Sequence, residues 1–257
     1  MHESPDFFAS CARFAGFGHF SSEMKTILKA ILLLCAVAAA AACTKGGLYD
    51  YNQPPDAAMN DQDMSHMLNT AYPLSLLVTV KQAGDGSAYL YFNDDIKFRY
   101  DEPFTRQYRA MCAAIVRGYP DEEGYCPYQL FYLEALDEGD LTYDASAAGS
   151  DGIDIVDAWV TDVDDGYLTI QYKAWFGEHP VKHDFHVVAG LDPEDPYSLE
   201  MRHDAHSDQK SEKLEGIISF DINSLPDTQG ETKRITLNYT SLTGATHRRF
   251  FEFKTRQ

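Results

Sequence analysis

The chain has 257 residues, of which 44% are hydrophobic and 24% are charged, and these ordinary values exclude a wholly disordered chain. Its 21 Lys and Arg residues stand against 40 Asp and Glu residues, which gives a formal net charge of −19. Binding to nucleic acid and docking on anionic lipid both need clustered basic residues, so this charge argues against either partner. The length fits one large domain or two domains of ordinary size.

The N-terminal part has the pattern of an export signal. Residues 24–29 form a short basic stretch, and the thirteen residues 30–42 that follow are all apolar. This run is shorter than the roughly 20 residues that cross a bilayer, and it is typical of a secretory signal peptide. Residues 1–23 precede a second methionine, Met24, which has a better basic region behind it. We interpret them as a start-site error or a leader extension, and residues 1–42 as a cleaved leader.

The signal ends in Ala40-Ala41-Ala42-Cys43, which resembles a bacterial lipobox, although the usual lipobox has Leu at the position of Ala40. This pattern predicts cleavage before Cys43 and lipid attachment to its thiol. An ordinary signal peptide with an incidental cysteine is the alternative. Residues 43–72 contain Gly-Gly and Pro-Pro pairs without sustained periodicity, and we interpret them as a flexible tether.

Residues 73–145 are predicted to form a small β-barrel domain. Short segments of alternating or β-branched residues are separated by turn residues, which favours a barrel or a small sheet. The predicted strands are residues 74–81, 87–92, 96–100, 107–115 and 129–135. The small, acidic segment 143–154 that follows favours a domain boundary.

Residues 146–257 are predicted to form an immunoglobulin-like β-sandwich. The sequence Asp164-Asp165-Gly166 indicates a hairpin turn, and about seven strands with regular turns within about a hundred residues are typical of a sandwich. The predicted strands are residues 159–161, 167–175, 184–189, 197–202, 216–222, 234–239 and 247–254. The fold class predicted for the whole chain is therefore all-β.

Cysteine usage leaves two thiols in the predicted mature chain. Cys11 and Cys35 lie in the leader, and Cys43 is the predicted lipid attachment site. In an oxidising envelope Cys112 and Cys126 either form a disulfide or remain two buried thiols, and the sequence leaves both readings open.

An ordered set of motifs resembles the NigD-like lipoproteins of Bacteroides-group bacteria. The motifs are residues 158–161, 165–169, 192–197, 202–205, 220–228 and 237–239. The signature residues for which we expect structural roles are Trp159, Asp192, Pro193, Asp195, Pro196, Tyr197, Arg202, His203 and Asp204.

The resemblance implies an OB-type barrel followed by a β-sandwich on an envelope lipoprotein. The family takes its name from an operon for a secreted bacteriocin, in which the member is thought to provide immunity. No catalytic or ligand residues are established for the family, so none are carried over to this chain.

Histidines provide the main alternative, a metal-dependent envelope hydrolase that uses His183, His203, Asp204 or His206. The sequence lacks an H-E-x-x-H helix and a cysteine pair with zinc-ligand spacing, so no metal or other cofactor is predicted. The acidic segments 162–166 and 192–196 could in principle hold a cation, but we interpret them as turns. A calcium loop that began at Asp162 would have Lys173 at its twelfth position instead of the required Glu.

Tyrosines and a basic segment offer further binding alternatives. Tyr89 and Tyr91 would serve a glycan-binding accessory lipoprotein if their rings were exposed on the barrel, although packing is the favoured role. The cluster His247-Arg248-Arg249, with Lys254 and Arg256, is interpreted as the solvent-facing side of the last strand.

The leading prediction is a non-enzymatic protein with a binding or bacteriocin-immunity role, lipid-anchored in the envelope of a Gram-negative bacterium. No acidic export signal follows Cys43, which favours the outer membrane with the body facing the periplasm. The predicted partners are the membrane, through the lipid anchor, and an unknown envelope protein, bacteriocin or glycan, without nucleic acid.

Overall fold

A computed structural model describes residues 66–179 and 181–255. The described residues divide into two compact units, which meet between Ala135 and Leu136. This division lies ten residues before the boundary predicted at residues 145 and 146, because the strand after Ala135 pairs within the second unit. The predicted leader, Cys43 and most of the predicted tether lie outside the described residues. Within the described part, no helix has the length and apolarity needed to cross a bilayer.

The first unit contains a five-stranded antiparallel sheet in the order β3-β2-β1-β4-β5. Its strands are β1 (Leu74–Gln82), β2 (Ser87–Tyr91), β3 (Lys97–Pro103), β4 (Tyr108–Val116) and β5 (Tyr128–Ala135). The predicted strands agree with these to within a few residues at each end. Alternating side chains such as Val78, Leu90 and Phe98 are fully buried in its core.

The sheet of the first unit curls so that its two edges approach each other. The edge strand β3 contacts the segment that precedes the other edge strand, β5. Lys97, at the start of β3, forms a parallel bridge with Tyr125. The Lys97 amide donates to the Gly124 carbonyl over 2.9 Å, and the Cys126 amide donates to the Lys97 carbonyl over 2.8 Å. The result is a small, partly open five-stranded barrel, as an OB-type fold requires.

The second unit is built from nine strands and a short 3-10 helix, Ala145–Ala147. The strands are β6 (Asp137–Thr142), β7 (Asp154–Ile155), β8 (Asp162–Asp164), β9 (Tyr167–Phe176), β10 (Asp184–Val188), β11 (Ser198–Asp204), β12 (Glu212–Asp221), β13 (Lys233–Thr240) and β14 (Thr246–Phe253). Their order is β14-β13-β11-β10-β6-β12-β9-β7, with β8 paired to β9. Because β8 also lies against β14, the sheet folds over on itself. The all-β class and the C-terminal β-sandwich are therefore confirmed.

Strand β6 connects the two halves of the sandwich and was not predicted. It pairs in parallel with β10 on one side and with β12 on the other. Gly139 lies directly opposite Phe220 of β12, and the Phe220 ring occupies the space where a side chain of residue 139 would stand. The missing side chain of Gly139 thus allows a large aromatic ring to fill the core at this position.

The hairpin predicted at Asp164-Asp165-Gly166 joins β8 to β9. Asp165 and Gly166 have φ angles of 53° and 77°, as a tight hairpin turn with two left-handed residues requires. The strand predicted at residues 159–161 is instead part of a turn, in which the Thr161 amide donates to the Ala158 carbonyl over 2.9 Å. The Thr161 hydroxyl accepts from the backbone amide of Gln171 in β9. A side chain therefore takes the place of the backbone carbonyl that a neighbouring strand would offer to this amide.

Candidate functional site

Two histidines meet inside the sandwich at one end of β10 and β11. His203 lies in β11, and its strand partner is Phe185 of β10, two residues after His183. The Nε2 atom of His203 is 2.9 Å from Nδ1 of His183, whose Nε2 is 3.2 Å from an Asp208 carboxylate oxygen. Nδ1 of His203 is 3.4 Å from the Gly152 carbonyl oxygen. We call His183, His203, Asp208 and Gly152 the histidine cluster.

Aromatic rings and burial hold the cluster in place. The His183 ring stacks on Phe176 with 4.1 Å between centroids, and the His203 ring stacks on Phe185 with 4.8 Å between centroids. His183 is 6% exposed and His203 is 1% exposed. The imidazole rings therefore act as core side chains whose nitrogen atoms all face protein partners.

Burial controls the charge of the cluster. Loss of solvent, and to a lesser extent the neighbouring His183, lower the pKa of His203 to about 4. Hydrogen bonds from the Gly177 amide and from His183 hold the pKa of the Asp208 carboxyl below its usual value. At neutral pH the cluster therefore combines a neutral His203 with an ionised Asp208.

The structure divides the four residues of the hydrolase alternative into two pairs, His183 with His203 and Asp204 with His206. His183 and His203 are in contact, whereas His206 bonds Asp184 over 2.8 Å and Asp204 accepts from the His206 amide over 2.7 Å. Among residues 66–179 and 181–255, no three His, Cys, Asp or Glu side chains are arranged to hold a metal ion. Asp208 was not predicted as a site residue. It lies in a loop 25 residues after His183 in the chain, and its carboxylate bonds the His183 ring.

The acidic-proline motif forms a turn that caps the start of β11. The Asp192 carboxylate accepts from the Glu194 amide, and the Asp195 carboxylate accepts from the Tyr197 amide, each over 3.0 Å. The Tyr197 hydroxyl donates to the Pro226 carbonyl over 3.1 Å. These bonds hold two loops together and leave the carboxylates engaged with backbone amides.

Arg202 and Trp159 differ in their surroundings. The Arg202 guanidinium donates to Glu200 on its own strand and to the Ala145 carbonyl, each over 3.0 Å, so it ties β11 to the 3-10 helix. Trp159 is 41% exposed in the turn before β8. Asp157, two residues before Trp159, accepts from Arg249 of β14 over 3.1 Å.

Cys112 and Cys126 are both buried free thiols in the structure. Burial raises the pKa of Cys112 to about 12 and the pKa of Cys126 to about 11. Both thiols are therefore protonated at neutral pH and pack as small apolar side chains of the barrel core.

The barrel tyrosines that a glycan-binding role would use are packed against their neighbours. Tyr91 is buried, its hydroxyl donates to Asp94 over 3.0 Å, and Lys81 lies over its ring. Tyr89 is half-buried and meets Tyr125 edge-to-face with 6.1 Å between ring centroids. These contacts agree with the packing role that the sequence favours.

Residues 136–253 match a family model described as the NigD-like C-terminal beta sandwich domain. This match confirms the resemblance that the sequence motifs indicated. No curated protein matches the chain.

Solved structures of proteins from Parabacteroides and Bacteroides species have similar folds. A putative toxin-related protein from Parabacteroides distasonis is 24% identical, with a TM-score of 0.59, over 71% of this chain and 93% of that one. A NigD-like immunity protein from Bacteroides caccae is 18% identical, with a TM-score of 0.50, over 71% and 97%. A Bacteroides vulgatus protein of unknown function is 16% identical, with a TM-score of 0.57, over 71% and 92%. At these identities the likeness concerns the fold.

Proposed function

We propose, from the premise that residues 136–253 are a NigD-like C-terminal β-sandwich domain, that this chain is a non-catalytic binding protein of the immunity type. In this proposal it is anchored by lipid on Cys43 in the outer membrane, with its body in the periplasm. It binds a toxic protein, such as a co-encoded bacteriocin, and prevents that protein from acting on the producing cell.

The observation that carries the proposal is that every imidazole nitrogen of the histidine cluster has a partner within the protein. Its imidazole nitrogens face each other, the Gly152 carbonyl and Asp208, and both rings are stacked inside the core. The side chains best suited to acid-base or metal chemistry thus serve to join loops to strands. The similarity to a NigD-like immunity protein supports binding as the function of such a scaffold. We do not propose the metal-dependent hydrolase, because Asp204 and His206 bond away from this cluster.

Immunity makes a direct prediction about cell survival. Deleting the gene should make cells at least tenfold more sensitive to the co-encoded bacteriocin, because its target would no longer be protected. Dose-response killing of the deleted strain, the parent strain and a strain complemented with the full chain measures this. Equal sensitivity of the three strains would contradict the immunity role.

Lipid anchoring makes a second prediction. A Cys43→Ser variant should lose incorporation of labelled palmitate and leave the membrane fraction, because the acylated thiol is absent. The matched control is Cys35→Ala, which changes a cysteine inside the predicted leader and should retain both properties. Palmitate labelling that persists in the Cys43→Ser variant would refute the anchor.

A further inference from the structure

Positive charge in the second unit is concentrated in its last hairpin. Residues 233–254, which comprise β13, β14, their connection and Lys254, contain five basic residues and one acidic residue. Residues 136–257 as a whole contain 11 basic and 24 acidic residues. The hairpin is therefore a basic region within a strongly acidic unit.

One face of the hairpin carries an exposed aromatic ring and two arginine side chains. Phe251 and Phe253 of β14 point into the core, so the alternating residues Arg248 and Phe250 lie on the opposite face. Phe250 is 59% exposed, the largest exposure of any large hydrophobic side chain among the described residues. Arg234 of β13 places its guanidinium carbon 5.6 Å from the Phe250 ring centroid. We call Arg234, Arg248 and Phe250 the β14 patch.

The basic residues of the hairpin differ in how far their charges are neutralised. Lys233 is paired with Glu231, and Arg249 is paired with Asp157 over 3.1 Å. Within the described part of the chain, the Arg248 side chain makes no ion pair or hydrogen bond, and the Arg234 side chain makes only its contact with the Phe250 ring. The guanidinium groups of Arg234 and Arg248 therefore keep their donors for another molecule.

The chemistry of the patch selects an acidic protein surface. Guanidinium groups bind carboxylates through two parallel hydrogen bonds, and arginine and aromatic residues carry much of the energy of protein interfaces. Because the rest of the unit is acidic, it repels an extended anionic surface such as a membrane or a long polyanionic glycan. A partner whose surface is neutral or basic apart from a local cluster of carboxylates avoids that repulsion. Its carboxylates complement the arginines, and the rest of its surface complements the acidic surroundings of the patch.

We infer that the β14 patch is the docking surface for the protein that this chain binds, and that the partner presents a local cluster of Asp or Glu side chains to it. The inference rests on the proposed binding function and adds to it the place of contact and the charge of the partner.

The chemistry of the patch is tested on the purified full chain with fluorescent hexaglutamate, with hexalysine and with phosphatidylglycerol vesicles as probes. Hexaglutamate should bind weakly and lose at least fivefold in affinity with Arg248→Glu, and binding should weaken with salt. Lys182→Glu is the matched control, because its side chain is 91% exposed and the charge change is the same. Failure of hexaglutamate to bind, equal binding to Arg248→Glu, or Arg248-dependent binding of vesicles instead would each overturn the inference.

The docking role is tested with the purified co-encoded bacteriocin. Arg248→Glu and Phe250→Ala should each weaken its binding at least tenfold, whereas Lys182→Glu should change it less than twofold. Unchanged affinity in the first two variants, with wild-type binding intact, would overturn the inference and leave the immunity proposal standing. If the bacteriocin does not bind but hexaglutamate binds through Arg248, the immunity proposal fails and the chemistry assigned to the patch stands.

Discussion

Replacing Gly139 with alanine should lower the free energy of unfolding of the second unit by about 3 kcal/mol, because a single methyl group would overfill its core. A Cβ atom at this position would collide with the Phe220 ring and come within 2.8 Å of the Phe185 carbonyl oxygen. Neither neighbour can move easily, since Phe220 is fully buried and Phe185 belongs to the strand β10 that pairs with β6. Urea unfolding, followed by circular dichroism, measures the change.

The control for this substitution is Gly84→Ala, because an added Cβ at Gly84 meets no atom within 4 Å. That variant should stay within about 0.5 kcal/mol of the wild-type chain. Combining Gly139→Ala with Phe220→Leu should recover part of the loss, because the smaller side chain makes room for the methyl group. A Gly139→Ala variant as stable as the wild type would show that Gly139 is not needed for the fit of Phe220.

Acid should destabilise the second unit through His203. Burial lowers the pKa of His203 from 6.5 to about 4, so the unfolded chain takes up a proton at a higher pH than the folded chain does. The resulting stabilisation is complete above pH 6.5 and is lost as the pH falls towards 4. It amounts to about 3 kcal/mol over that range. The groups that face His203 are His183, Asp151 and Asp204, and Asp208 lies beyond His183.

A His203→Gln variant isolates this effect, because glutamine keeps polar atoms but does not titrate. Its overall stability should be lower, since the stacking on Phe185 is lost. The loss of stability between pH 6.5 and pH 4 should, however, be about 3 kcal/mol smaller than in the wild type. Urea midpoints at pH 7, 6, 5 and 4 for both chains measure the difference. Parallel pH profiles for the two chains would contradict the assigned role of His203.

Local patterning was sufficient to predict most strands of both units. Alternating apolar residues were enough to identify β1 and β9, although the structure buries most positions on both faces of these two strands. The Asp165-Gly166 turn follows from the left-handed backbone that these residues tolerate. Strand β6 could not be recognised in the same way. Its sequence, Asp-Glu-Gly-Asp-Leu-Thr, has little strand propensity, and its pairing is fixed by β10 and β12, which lie far along the chain.

The candidate site was predicted in part for a similar reason. The sequence named His183 and His203, with Asp204 and His206, as candidates of the metal-dependent alternative, and the structure places the rings of His183 and His203 in contact. Asp208 and Gly152 were missed because each belongs to a loop whose position depends on the whole sandwich. Nor could composition alone show that His206 turns away to Asp184.

The position of β6 also constrains the order in which the second unit can fold. It is the first strand of the unit, yet Asp137 pairs with Ile218 of β12, which lies 81 residues further along the chain. During synthesis, which starts at the N-terminus, β6 is therefore made long before β12 and lacks this neighbour until most of the sandwich has left the ribosome. Such long-range parallel pairing is slow, and an unpaired strand invites intermolecular association. The acidic residues Asp137, Glu138 and Asp140 give the waiting strand a charge that opposes pairing with other chains.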